Sequence, residues 1–165
     1  MKPVVFALPA CHALAADLAP RLDAEVGALT LRHFPDDETY VRLDTDVAGR
    51  AAIIACTLDR PDDKLVPILY AAATAKELGA VSVGLVAPYL AYLRQDRRFQ
   101  SGEGVTSRYF ARVLSAARRC TGAACHGVFP IWISKPKPMM VGMKTGRSIT
   151  WKSRPITTRL KRSSA

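Results

Sequence analysis

"DRPDDKLVPILYAAATAKELGAVSVGLVAP", residues 59–88, passes from an acidic turn through a helical pattern into a short apolar, β-branched run. Leu65, Ile68, Leu69, Ala72 and Ala75 recur at helical spacing, Asp62 or Asp63 can cap the start, and Gly79 stands where a C-terminal cap belongs. Pro67 fits such a helix only if it lies in the first turn. "VSVGLVAP" is apolar enough for the middle of a sheet. A helix leading straight into a buried strand is the building unit of an α/β layer fold.

The flanking sequence repeats that unit. On the N-terminal side, "PVVFAL" reads as a buried strand and "CHALAADLAPRL" as a helix with Leu14, Leu18 and Leu22 at helical spacing, ended or kinked by Pro20. "ALTLRHF" and "TYVRL" alternate like strands around the polar turn "PDDE", and "AAIIAC" is another buried strand. On the C-terminal side, "GEGVTSRYFARVLSAA" predicts a helix with Val105, Tyr109, Phe110, Val113 and Leu114 on one broad face. The expectation is an α/β fold, a mostly parallel sheet with flanking helices, spanning residues 1–117.

Length and composition set the bounds. A chain of 165 residues with 49% hydrophobic content supports one domain, or one domain and a tail. No run of about 18 apolar residues is present, which argues against a membrane span. Pro3, Pro9 and Asp17 interrupt the N-terminal apolar run, so it is read as a first strand instead of a secretion signal, and the protein as cytoplasmic. Cys11, Cys56, Cys120 and Cys125 are too few and too scattered for a disulfide scaffold and are read as free thiols.

Charge divides the chain sharply. Residues 1–117 carry 13 Lys and Arg against 14 Asp and Glu, whereas residues 118–165 carry 11 Lys and Arg and no acid. At ordinary composition a segment of that length holds roughly six acids. Hydrophobic periodicity also stops near Arg118, where Pro130, Pro136, Pro138 and Pro155 break the pattern. "HGVFPIWIS" is the one strand candidate there, and Pro130 suits it poorly to a central position.

Two polar clusters stand out against the fold. Arg94, Gln95, Asp96, Arg97 and Arg98 follow the strand "VSVGLVAP", and in parallel sheets ligands lie beyond the carboxyl ends of the strands. The arginines offer forked donors for phosphate oxygens, Gln95 both donates and accepts, and Asp96 can orient an Arg or reach a metal-bound water. The plain alternative is a solvated helix end with cations at the C-terminal dipole. In "HFPDDETY", Phe34 supplies an aromatic face for a base beside Asp36, Asp37 and Glu38 as acceptors; its plain alternative is an acidic β-turn.

Taken with their spacing, these segments resemble the ribose-phosphate diphosphokinases, also called phosphoribosyl pyrophosphate synthetases, from about Val4 to Ala117. "FPDDE" is similar to the family's F-x-D-G-E, "RPDDKLVPILYAAATAKELGA" to its P-N-D-x-L-M-E-L helix, "VAPYLAYLRQDRR" to its P-Y-x-x-Y-x-R-Q-D-R, and "GEGVTSRYFARVL" to its G-E-x-I-S-x-K helix. Asp37 departs from the family's usual Gly. The resemblance implies a phosphoribosyltransferase-like N-terminal domain, and transfer of the diphosphoryl group of ATP, with Mg²⁺, to ribose 5-phosphate. It implies ATP binding by Arg94, Gln95, Asp96 and Arg97. It implies also that Phe34, Asp36 and Glu38 reach the adenine site of a neighbouring subunit, making the protein a homo-oligomer.

The later family segments have no counterpart. A D-x-H segment, a mobile catalytic loop and an acidic D-D-x-x-x-T-G-G-T loop would follow, and residues 118–165 contain no Asp. No catalytic residue is therefore assigned, and His126, preceded by Cys125, takes no catalytic role. A shift of reading frame near Arg118, leaving an incomplete domain and a disordered tail, is the favoured account. A basic arm for nucleic acid or an acidic partner is the second, with Trp132 and Trp151 among its basic residues. A metal or haem site at "CTGAACH" is the weakest, its Cys-x4-Cys-His spacing matching neither zinc nor haem patterns. The expected product is a chain inactive alone, or a non-catalytic partner in a larger oligomer.

Overall fold

The computed structural model describes residues 1–116 and the backbone of 131–134 and 138–141. In chain order the elements are β1 (Val4–Ala7), α1 (His12–Arg21), β2 (Glu25–Gly27), β3 (Leu29–His33), β4 (Thr39–Leu43), β5 (Ala51–Ala55), α2 (Pro61–Glu77), β6 (Ser82–Val86), α3 (Thr106–Ala116), β7 (Ile131–Ser134) and β8 (Pro138–Val141). Six strands form one sheet in the order β2-β1-β5-β6-β7-β8, parallel except for the β7–β8 pair. β3 and β4 form a separate antiparallel hairpin. The expected α/β fold with a mostly parallel sheet is what forms.

β1 is buried at every position, as a strand covered on both faces must be. Alternation divides its side chains between two cores. Val5 and Ala7 meet Ala15 and Ala19 of α1, while Val4 and Phe6 join Ile54, Leu85, Ile68 and Ala72 of α2, and Phe110 and Leu114 of α3. Each large apolar side chain so buried contributes about 1.5–3 kcal/mol. Leu29, Val41 and Leu43 of the hairpin pack against the second core.

Several local expectations need correction. α1 buries Ala15 and Ala19, with Leu14 and Leu18 at the margin and Leu22 as the exposed C-cap, because small side chains let a helix lie close on a sheet. Pro20 sits inside the last turn of α1. α2 starts from Arg60 with Pro61 in its first turn, so Asp62 and Asp63 lie inside that turn and do not cap it. Pro67 falls a turn deeper than expected and is buried there. Tyr109 and Val113 of α3 are exposed; Val105, Phe110 and Leu114 are the buried side. The short edge strand β2 lacks a recognisable pattern and was not anticipated.

Gly79, at φ +88°, ends α2 as expected. Its N–H donates to the Lys76 carbonyl at 3.0 Å, and the Ala80 N–H donates to the Ala75 carbonyl at 3.0 Å, the paired bonds of a Schellman turn. β7 starts at Ile131, and its Ile131 and Trp132 pair with Leu85 and Val86. The strand thus lies between β6 and β8, not at an edge. The expected disordered or frameshifted tail otherwise lies outside the described residues, as do Cys120, Cys125 and His126.

Candidate functional site

α1 connects β1 to β2 in one direction and α2 connects β5 to β6 in the other, so the strand order reverses between β1 and β5. Ligands of open α/β sheets settle beyond the carboxyl ends of strands near such a reversal. At the reversal residues 8–11 leave β1, and beside them two longer loops leave the same edge, residues 56–60 after β5 and residues 87–105 after β6. The Leu58 N–H donates to the Tyr89 carbonyl at 3.0 Å and so ties them together.

Between these loops lies an open cavity of about 370 Å³. Leu58, Asp59 and Pro61 form one wall; Tyr89, Ala91, Tyr92, Arg94, Gln95 and Thr106 form the other. Apolar and aromatic walls with a few convergent polar groups are the usual make-up of a small-molecule site. Two of the four residues expected from the strand-end cluster are therefore at the cavity. Asp96 and Arg97 are exposed beside it without lining it, and the Arg97 guanidinium lies 5.0 Å from the Phe99 ring centre.

Gln95, Thr106 and Tyr92 of the cavity are anchored. Thr106 Oγ1 donates to Gln95 Oε1 at 3.0 Å, and the Ser107 N–H donates to the Gln95 carbonyl at 3.3 Å. Glu103 accepts from the N–H groups of Phe99 and Gln100 at 2.8 and 3.0 Å, closing the loop that carries the arginines. The Tyr92 hydroxyl donates to Asp62 in the first turn of α2. That bond, and then burial, raises the Tyr92 phenol above its ordinary pKa.

Asp59 and Lys64 form an ion pair at the other wall, and Lys64 also donates to the Thr57 carbonyl at 2.9 Å. Burial pulls the ammonium down, but the hydrogen bond and charge of Asp59 outweigh it and leave Lys64 above its ordinary value. The same bond holds the Asp59 carboxyl below the usual carboxylate range. Behind them sit the free thiols Cys11 and Cys56. Burial pushes the Cys56 thiol up to about 12, and neighbouring Cys11 adds to the shift.

The hairpin cluster is built differently. The Phe34 N–H donates to the Glu38 carbonyl and the Asp37 N–H to the Phe34 carbonyl, both at 2.9 Å, closing a three-residue loop with Asp37 at φ +64°. Arg32 stacks 4.8 Å from the Phe34 ring and 4.3 Å from Tyr40, while the two rings meet edge to face at 5.9 Å. One face of Phe34 is thus taken by Arg32. Phe34, Asp36 and Glu38 are exposed, and none of them lines the cavity. Within one chain the two expected clusters are not brought together.

Asp59, Lys64, Tyr92 and Thr106 were missed as site residues. Asp59 and Lys64 flank "RPDD" directly after β5, so the strand-end argument that selected Arg94 also reaches them. Tyr92 follows β6 two residues before Arg94 and stands inside the "YLAYLRQDRR" motif, so the same argument reaches it, while Thr106 lies within the "GEGVTSRYF" segment; that both would line the cavity depends on how the 87–105 loop folds back.

Residues 3–117 match the model of the N-terminal domain of ribose phosphate pyrophosphokinase. The ribose-phosphate pyrophosphokinase of Methanothermobacter thermautotrophicus is 36% identical over 114 residues, covering 69% of this chain and 40% of that protein. The same-named protein of Mycoplasma genitalium is 32% identical over 117 residues, covering 70% of this chain and 35% of its own. A crystal structure of phosphoribosylpyrophosphate synthetase from Mycobacterium smegmatis superposes with a TM-score of 0.65 at 30% identity, covering 71% of this chain and 40% of that one. The chain therefore spans well under half the length of these relatives, and it belongs to the ribose phosphate pyrophosphokinase family through that family's N-terminal domain.

Proposed function

We propose that this chain carries the ATP-side half of a ribose-phosphate diphosphokinase, the enzyme that transfers the diphosphoryl group of ATP to ribose 5-phosphate, releasing AMP. The observation that carries the reading is the pairing of Arg94 and Gln95 at one cavity wall beyond β6, facing apolar and aromatic side chains. Transfer of this kind relies on positioning and charge neutralisation more than on a nucleophilic side chain, and Arg94 supplies a fixed positive fork for phosphate oxygens. Asp96 and Arg97, exposed beside the cavity, are assigned to the outer phosphates. A Mg²⁺ arriving on the nucleotide would neutralise phosphate charge and needs only one or two carboxylates. Asp59 is the carboxylate at the cavity wall, and the ion would have to displace the Lys64 ammonium from it.

The exposure of the Phe34 loop supports a second element of the reading. Phe34, Asp36 and Glu38 are exposed and do not line their own cavity; in this reading they serve a neighbouring subunit, and the working unit is an oligomer. A chain that only joins such an oligomer as a non-catalytic partner would use the same loop. The acid-free residues 118–165 supply no sugar-phosphate loop, in keeping with a reading-frame change near Arg118.

The test is equilibrium ATP binding by the purified chain, with and without Mg²⁺, beside an assay of AMP release in the presence of ribose 5-phosphate. ATP binding weakened at least tenfold by Arg94→Ala, without turnover, is expected. Binding indifferent to Arg94→Ala would sink the site assignment, and AMP release dependent on ribose 5-phosphate would sink the claim of inactivity.

A further inference from the structure

The two cavity walls come from different loops, and one side-chain bond staples them. Asp62, immediately after the wall residue Pro61, accepts from the hydroxyl of Tyr92, a wall residue of the opposite loop. Tyr92 has φ +61°, a conformation unfavourable for a bulky residue that persists only where its surroundings hold it. Its ring is held as well, 4.9 Å from the centre of the Phe110 ring of α3. Arg94 and Gln95 follow within three residues, and Gln95 is fastened beyond them to Thr106 and Ser107. The Arg94 guanidinium therefore projects from a short span pinned at both ends.

We propose that Asp62 is a positioning residue: through Tyr92 it holds the 92–95 span in the one backbone path that turns Arg94 and Gln95 toward the cavity. Its significance for nucleotide rests on the ATP-side reading above, although the latch itself does not. Asp62 touches no cavity surface and works only through the Tyr92 hydroxyl. A first-turn carboxylate also favours the α2 dipole, so loss of charge and loss of the latch must be separated. Asp62→Asn removes the charge and keeps an acceptor oxygen; Tyr92→Phe keeps the charge and removes the donor.

The experiment measures ATP affinity and site-resolved amide exchange in the wild-type chain and in Asp62→Ala, Asp62→Asn, Tyr92→Phe and the Asp62→Ala/Tyr92→Phe double variant. Asp62→Ala and Tyr92→Phe should each weaken ATP binding about tenfold, the double variant no more than either, and Asp62→Asn should stay within about twofold of wild type, because the pair acts as a unit. Exchange at Ser107, bonded to the Gln95 carbonyl, and at Leu58, bonded to the Tyr89 carbonyl, should quicken about tenfold in the variants that lose the latch, with Ile54 and Leu85 unchanged. If Asp62→Asn weakens binding as much as Asp62→Ala, the charge is what matters and the latch is refuted. If Asp62→Ala binds ATP normally while Arg94→Ala does not, the ATP site stands and the latch falls. If the wild-type chain binds no ATP, the ATP-side reading falls, and unchanged exchange at Ser107 and Leu58 in Asp62→Ala would then overturn the latch on its own.

Discussion

Asp37 illustrates how one residue tests a local reading. Its φ of +64° is the left-handed position of a three-residue hairpin loop, where glycine is most at ease and Asp is among the better-tolerated alternatives. The Gly that the resemblance leads one to expect at this place would meet the same backbone demand that Asp37 meets here. Asp37→Gly should leave stability equal or slightly higher, whereas Asp37→Val should lower it by about 1–2 kcal/mol, since a β-branched side chain meets the left-handed penalty in full. Urea unfolding midpoints of the two variants decide it, and equal loss in both would show that the Asp37 side chain matters more than its φ. The cluster around it was legible as a turn because Pro35 and paired Asp residues specify one. That Arg32 would cover a face of Phe34 was not legible, since it depends on cross-strand neighbours on the hairpin.

Among the elements, α2 carries most of the architecture. It covers the α2-side core through Ile68, Ala71, Ala72 and Ala75, supports the hairpin, and presents Asp62 and Lys64 to the site. Its exit is set by Gly79, whose open surroundings make backbone conformation the main constraint: an added Cβ would approach nothing nearer than 3.6 Å. Gly79→Ala should therefore cost about 1 kcal/mol through the left-handed penalty, seen as a lower denaturant midpoint with an unchanged slope. No loss would mean that the Schellman turn tolerates a side chain. The helix was read correctly from its spacing and its glycine, while its first turn was not. Pro61, not an Asp, opens it, which leaves Asp62 available for Tyr92.

At the scale of the whole molecule, buried Cys56 and partly buried Lys64 tie stability to alkaline pH. Both groups have native pKa values above their ordinary ones, so the folded chain holds protons that the unfolded chain has already released. Their contribution is complete below the unfolded values and is lost as pH rises, from about 9 toward about 12 for the thiol. Stability should accordingly fall above pH 9, and the slope should be shallower in Cys56→Ala by up to about 1.4 kcal/mol per pH unit. Denaturant unfolding at successive pH values measures this; parallel slopes in the two proteins would place the alkaline loss elsewhere. Among the described residues no helix is long and apolar enough to cross a membrane.

The sequence by itself determined the elements that obey local rules: continuous apolar runs for β1, β5 and β6, 3.6-residue spacing for α2 and α3, the glycine that ends α2, and the arginines placed after a strand. It determined the family as well, because "FPDDE" and "YLRQDRR" are compact motifs readable without coordinates. Tertiary structure alone decided which residues of α1 face the sheet, that β7 enters beside β6, and that the cavity joins Asp59 to Arg94 across two loops. It alone paired Asp62 with Tyr92, separated by 30 positions in the chain. Hydrophobic periodicity reports the face an element turns to its own neighbours, but a bond between loops depends on the sheet order that brings their ends together.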